Sequence, residues 1–168
     1  MRLVYGLCLG LYLSFAWGAP AVEPSVRWQA SEGVVSGIIA RLVAWDVQPD
    51  ADDPNRIAGF RVVPGSERTL SQDLIADLVR WLRAEDGFIE GRARRCRRTQ
   101  AVGFRLQRQI DGQMSTAEIA VDFPCNALFL RIPGPEGPRA AYRFFDPSRA
   151  GLLAIVNRAL GKDWMRHP

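Results

Sequence analysis

Five arginines surround one cysteine in "GRARRCRRTQ", residues 91–100, with no acid among them. Three chemistries suit that composition. Neighbouring guanidinium groups lower a thiol's pKa and would make Cys96 a nucleophile. Arg92, Arg94, Arg95, Arg97 and Arg98 could instead hold phosphates, lipid head groups or an acidic protein surface through forked, charge-assisted hydrogen bonds. The third reading makes Cys96 half of a disulfide with a solvated basic flank. A thiol enzyme needs a general base, and the sole histidine, His167, lies beside the end of the sequence. Cys125 offers a partner, so the staple is the preferred reading of Cys96. No zinc spacing, Walker lysine or GxGxxG is present. No catalytic residue, metal or cofactor is assigned. "PDADD", residues 49–53, gathers three acids but lacks the spacing of a calcium loop, and reads as a solvated acidic turn.

The arginines extend beyond the cysteine. Arg105 and Arg108 continue the run, and no acid interrupts it from Gly91 to Ile110. Nucleic acid is disfavoured as the partner, because stacking would call for interleaved aromatics and Phe104 alone is present. A solvated rim balanced by Glu85, Asp86, Glu90 and Glu118 is the competing reading.

The start of the chain bears on where this chemistry operates. Arg2 is followed by an apolar run from Leu3 to Phe15, then by the small residues Ala16, Gly18 and Ala19. This is the pattern of a secretory signal peptide over residues 1–18, with cleavage after Gly18 and a core too short to span a membrane. The mature chain would be periplasmic or secreted and would keep two cysteines, Cys96 and Cys125. Its 18 acids stand against the 22 basic residues less Arg2, for a net charge of about +3, too small by itself to imply a nucleic-acid binder. Residues 19–30 read as a loose arm, and residues 31–168 as one globular domain.

Elements must then position these groups. "VVSGIIARLVAWDV", residues 34–47, is rich in β-branched residues and precedes the turn-rich "QPDADDPN". Strand is favoured, with "RIAGFRVV" as its return, and a short helix from Glu32 is the alternative. Leu74, Ile75, Leu78, Trp81 and Leu82 recur at helical spacing, with Ser71 as cap and Gly87 as stop. A second helix is signalled by Asp146 as cap, Pro147 at its first position, the stripe Leu152, Leu153, Val156, Leu160, and Gly161 at its end. Between them lies β structure. "FRLQRQ" and "AEIAVDF" flank Asp111-Gly112, a two-residue hairpin signal, while "ALFLRI" and "AAYRFF" flank "PGPEGP". The fold class is α+β: a mainly antiparallel sheet of five or six strands with two helices on one face and one disulfide. Trp28, Trp45, Trp81 and Trp164 read as core or edge packing, and Tyr142 and Phe144 as a half-buried strand.

If Asp111 and Gly112 form the turn, Val102 faces Val121, Phe104 faces Ile119 and Leu106 faces Ala117, all on one side. Arg105 falls opposite Glu118 on the other. Extended to the open end, this register sets Cys96 and Cys125 a diagonal step apart. A regular ladder would hold them roughly 7 Å or more apart, so the bond needs a bulge near Pro124. A loop of about 30 residues closed this way would contribute roughly 3 to 4 kcal/mol.

The run from Cys96 through "AVGFRL", "IAVDFPCNALFL" and "YRFFDP" into a closing helix resembles a family of uncharacterised exported bacterial proteins. In those, a cysteine precedes a β-hairpin, Cys-Asn ends it, and a second hairpin leads through Phe-Asp-Pro into the last helix. The likeness covers roughly Leu70 to Leu160 and rests on Cys96, Cys125, Asn126, Phe145, Asp146 and Pro147. The family often places Phe-x-Pro where this chain has Arg97 to Gln100, and a further Cys where it has Asp122. That family has no established function to carry over. The expectation is an exported, non-enzymatic domain that binds an anionic protein or envelope component through its arginines. A small enzyme with a carboxylate- or thiol-based site and a structural accessory of an envelope complex are the alternatives.

Overall fold

A computed structural model describes residues 26–48, 53–84, 86–88, 101–132, 139–145 and 148–166. In chain order these form α1 (Val26–Ser31), β1 (Val34–Val47), β2 (Arg56–Ile57), β3 (Phe60–Val62) and β4 (Arg68–Thr69). They continue with α2 (Gln72–Arg83), β5 (Ala101–Ile110), β6 (Gln113–Asp122), β7 (Ala127–Ile132), β8 (Arg139–Phe144) and α3 (Arg149–Leu160). The class is α+β, as expected. The described strands make one 8-stranded sheet in the order β2-β3-β1-β5-β6-β7-β8, with β4 also paired to β1. Every pairing is antiparallel.

The sheet exceeds the five or six strands expected, and a third helix joins the two. Both differences have local causes. "RIAGFRVV" does not return as one strand. Ala58 (φ 49°) and Gly59 (φ 85°) take left-handed conformations and fold it into the β2–β3 hairpin, the geometry of a tight two-residue turn. A second short strand, β4, pairs Arg68 with Ile39 and Thr69 with Ile38. Part of the segment read as a loose arm is helical: α1 begins at Val26 and buries Ala30 completely.

Residues 34–47 are strand. β1 is bonded to β5 from Val34 to Leu42 on one side and to β4 and β3 on the other. Adjacent residues Ile39 and Ala40 are both fully buried, in separate clusters. A strand covered on both faces shows no simple alternation, which is why helix was the competing reading. The β5–β6 hairpin has the register derived from its turn: Val102 faces Val121, Phe104 faces Ile119, Leu106 faces Ala117, and Arg105 faces Glu118. Asp111 (φ 50°) and Gly112 (φ 77°) supply the left-handed pair that turn requires.

One face of the sheet is covered by helices. Val102, Phe104, Leu106, Ile119 and Val121 pack with Leu74, Ile75, Leu78 and Leu82 of α2 and with Leu152, Ile155 and Val156 of α3. Ser71 caps α2 by accepting from the Leu74 N–H. The helix ends at Arg83, ahead of the glycine expected to stop it. Gly87 instead lies against the start of α3, where its carbonyl accepts from Ser148 Oγ at 2.6 Å and an added Cβ would stand 3.1 Å from Ser148 Cβ. α3 starts at Arg149 with Ser148 before it, so Asp146 and Pro147 lie ahead of its first turn and outside the described residues. Ile155 takes a buried place in its stripe, while Leu153 and Leu160 are only partly buried. Gly161 (φ 85°) ends it.

The opposite face is covered by the protein's own hairpin. Ala40, Gly103 and Ala120 are opposed in register across β1, β5 and β6. Their small side chains leave a hollow that receives Ile57 and Phe60. A Cβ on Gly103 would stand 2.9 Å from Ile57 Cγ2, too close to be accommodated without movement. Phe60 tilts against Phe129 with ring centroids 5.5 Å apart. Among the described residues no helix is long and apolar enough to cross a membrane.

Candidate functional site

Arg92, Arg94, Arg95, Arg97, Arg98 and Cys96 lie outside the described residues. What surrounds the segment in sequence is described. It leads into Ala101, which opens β5 between Leu42 of β1 and Asp122 of β6. The two arginines that continue the run make bonds within the fold. Arg105 Nε donates to Glu118 Oε1 at 3.1 Å, and its Nη2 donates to the carbonyls of Pro54 (3.0 Å) and Arg56. Arg108 is buried on the helix side, where Nη2 donates to Ser115 Oγ at 2.9 Å and Nη1 to the Gln29 carbonyl. Burial pulls its pKa below the usual guanidinium value, opposed by the charge of Glu32.

Glu118 is fully engaged inside the fold. Besides Arg105, its Oε2 accepts from the Ala58 N–H at 3.0 Å and from Arg131 Nη1 at 3.4 Å. It is therefore committed to fastening the β2–β3 hairpin and is removed from the acids that could balance residues 92–98. Two aspartates are engaged in the same way. Asp46 meets Arg56 at 2.9 Å and Arg61 at 2.6 Å, and the Arg56 hydrogen bond leads in lowering its pKa. Asp77 links α2 to α3 through Arg158 and also meets Arg80 at 2.7 Å. Its pKa is lowered too, chiefly by the Arg158 hydrogen bond. Each of these three carboxylates is held by two arginines.

The acidic turn is described only from Asp53 onward. Asp53 Oδ1 accepts from the Asn55 N–H at 2.8 Å, and Oδ2 stands 3.6 Å from Arg56, so this side chain organises a turn. Among the described residues no three His, Cys, Asp or Glu side chains group as metal ligands. Cys125 is buried in the turn after β6, where its N–H donates to Asp122 Oδ1 at 3.4 Å. Arg149 braces that turn by donating to the Phe123 carbonyl and to Asn126 Oδ1. Trp81 and Trp164 are buried, as expected, and their indole N–H groups donate to the Ser148 carbonyl (3.0 Å) and Asn157 Oδ1 (2.9 Å).

One cationic feature has no counterpart in the sequence reading. A cleft of about 390 Å³ opens between the turn at Pro64–Ser66 and the end of α3, lined by Arg41, Arg68, Leu160, Lys162, Asp163 and Trp164 among others. Its cations come from β1, from β4 and from the residues after α3. No spacing pattern joins them, because register and helix packing alone bring them together.

Comparison with protein-family models, curated proteins and solved structures returns no match.

Proposed function

We propose that the protein is an exported binding domain, matured by cleavage after Gly18, that engages an anionic protein or envelope component through Arg92, Arg94, Arg95, Arg97 and Arg98. The observation that carries this reading is the placement of the acids. Glu118, which faces Arg105 across the β5–β6 hairpin, is already held by Arg105, Arg131 and the Ala58 amide. The charge of residues 92–98 is thus left without that internal counterion, as an anionic partner requires. A Cys96–Cys125 disulfide belongs to the same reading, since such bonds persist in oxidising compartments. The likeness to exported bacterial proteins belongs to the same reading.

The test is the variant carrying Arg94→Ser, Arg95→Ser, Arg97→Ser and Arg98→Ser. Melting should stay nearly unchanged, because solvent-facing charges contribute roughly 0 to 1 kcal/mol each. Retention of envelope material on the immobilised protein should fall sharply, and wild-type retention should weaken as salt rises, since exposed charges are screened over about 10 Å at 0.1 M. Equal retention by wild type and variant at low salt would reduce the segment to a solvated rim.

A further inference from the structure

Two turns of this sheet share one shape but not one sequence. At Ala58 and Gly59 the φ angles are 49° and 85°, and at Asp111 and Gly112 they are 50° and 77°. Aspartate tolerates the left-handed region through its short polar side chain, and glycine has no Cβ to oppose it. Alanine does oppose it, because its Cβ is driven towards a carbonyl oxygen. A residue held this way persists only where its surroundings impose the conformation, and such strain gathers at clamps and switches. Here the turn is gripped at both residues. Glu118 Oε2 accepts from the Ala58 N–H at 3.0 Å, while the Gly59 carbonyl accepts from the Gln48 N–H at 2.8 Å and from Arg56 Nη1 at 3.0 Å. Arg105 and Arg131 hold Glu118 in place.

We propose that the β2–β3 hairpin is a strained cover, a conformational switch with Glu118 as its catch. Docked, the turn is held against the backbone preference of Ala58. Undocked, Ala58 relaxes to a negative φ and the strain is gone. Strain favours release, whereas the catch and the burial of Ile57 and Phe60 favour docking. A rival account needs no switch. The Ala58 side chain packs against the cluster of Ala40, Leu42 and Phe60, and that contact alone would call for a small apolar residue. The two accounts give opposite signs for Ala58→Gly. Relief of strain steadies the docked hairpin, and loss of a packed methyl group loosens it.

Native-state hydrogen exchange tests this. Two amides tie the hairpin to β1 and its end: Gln48 donates to the Gly59 carbonyl, and Val63 donates to the Arg41 carbonyl at 2.9 Å. The Leu78 amide, within α2, is the internal reference. In the wild type Gln48 and Val63 should exchange faster than Leu78, as a locally opening unit does. Ala58→Gly should slow both by roughly three- to tenfold. Glu118→Gln, which keeps the side-chain shape and removes its charge, should quicken both roughly tenfold or more and leave Leu78 unchanged. Equal exchange at all three amides in the wild type would mean that the hairpin leaves only when the domain unfolds, and the switch would fail. Unchanged or faster exchange in Ala58→Gly would deny the strain, and unchanged exchange in Glu118→Gln would deny the catch. Either result overturns the proposal.

Discussion

On one face of the sheet Phe104, Leu106, Ile119 and Val121 meet α2 and α3 hydrocarbon to hydrocarbon, whereas on the other Ile57 and Phe60 sit over Ala40, Gly103 and Ala120 beside ion pairs. The two covers are located by different forces. Apolar burial is large but non-directional, so the helices depend on shape, on caps such as Ser71 and on a few links such as Asp77 to Arg158 for their positions. The hairpin buries fewer side chains and is located by directional bonds: Glu118 to the Ala58 amide, and Arg105 to the Pro54 and Arg56 carbonyls. One cover is held mainly by area, the other by aim.

Three substitutions bear on that comparison. Phe104→Ala should have the largest effect, because it empties a fully buried ring position under the helices. A loss of about 3–5 kcal/mol is expected in chemical denaturation, and a loss below 1 kcal/mol would deny the helical face its dominance. Glu118→Ala should cost less, about 1–3 kcal/mol, by leaving a backbone amide and two partly buried arginines without their acceptor. Its signature should be local: hydrogen exchange at Ala58 should quicken while the α2 amides keep their protection. Uniform loss across both covers would show that the hairpin is not separately fastened. The smallest effect concerns acid. Asp46 on the hairpin side and Asp77 on the helix side both titrate below the ordinary aspartate value of 3.8. Their contribution is present above that value and is lost as pH falls through the lowered folded-state value. Asp77→Asn should therefore flatten part of the decline in melting temperature below pH 3.8 in low salt. An unchanged acid limb would mean that the α2–α3 link contributes nothing to it.

What could be read in the sequence follows the same division. The β5–β6 register was legible because Asp111-Gly112 admits one turn geometry and so fixes every pair behind it. Ser71 and the apolar stripe marked α2 in the same local way. The β2–β3 hairpin was not legible, because its first turn residue is Ala58, which rarely takes a positive φ and does so here where Glu118 accepts from its N–H. β4 is two exposed residues, too short for any periodicity. The cleft depends on strand register and on where α3 comes to rest, so Arg41, Arg68 and Lys162 carry no shared signal in the chain. The arginine segment is the reverse case: evident in composition, with a role that composition does not decide.

The hairpin's seat also sets an order of events. It is assembled from β1, β5, β6 and β7, and the bond from the Ala58 amide to Glu118 spans 60 residues. Closing loops of that length is entropically costly until the strands have met. The β5–β6 pair, zipping from its own turn, has no such delay. Docking of the hairpin is accordingly expected late in folding, and its release is the local opening that hydrogen exchange at Ala58 should detect first. Such an opening would bare the strip of Ala40, Gly103 and Ala120 while the helical face stays shut, giving the molecule one side that breathes without unfolding.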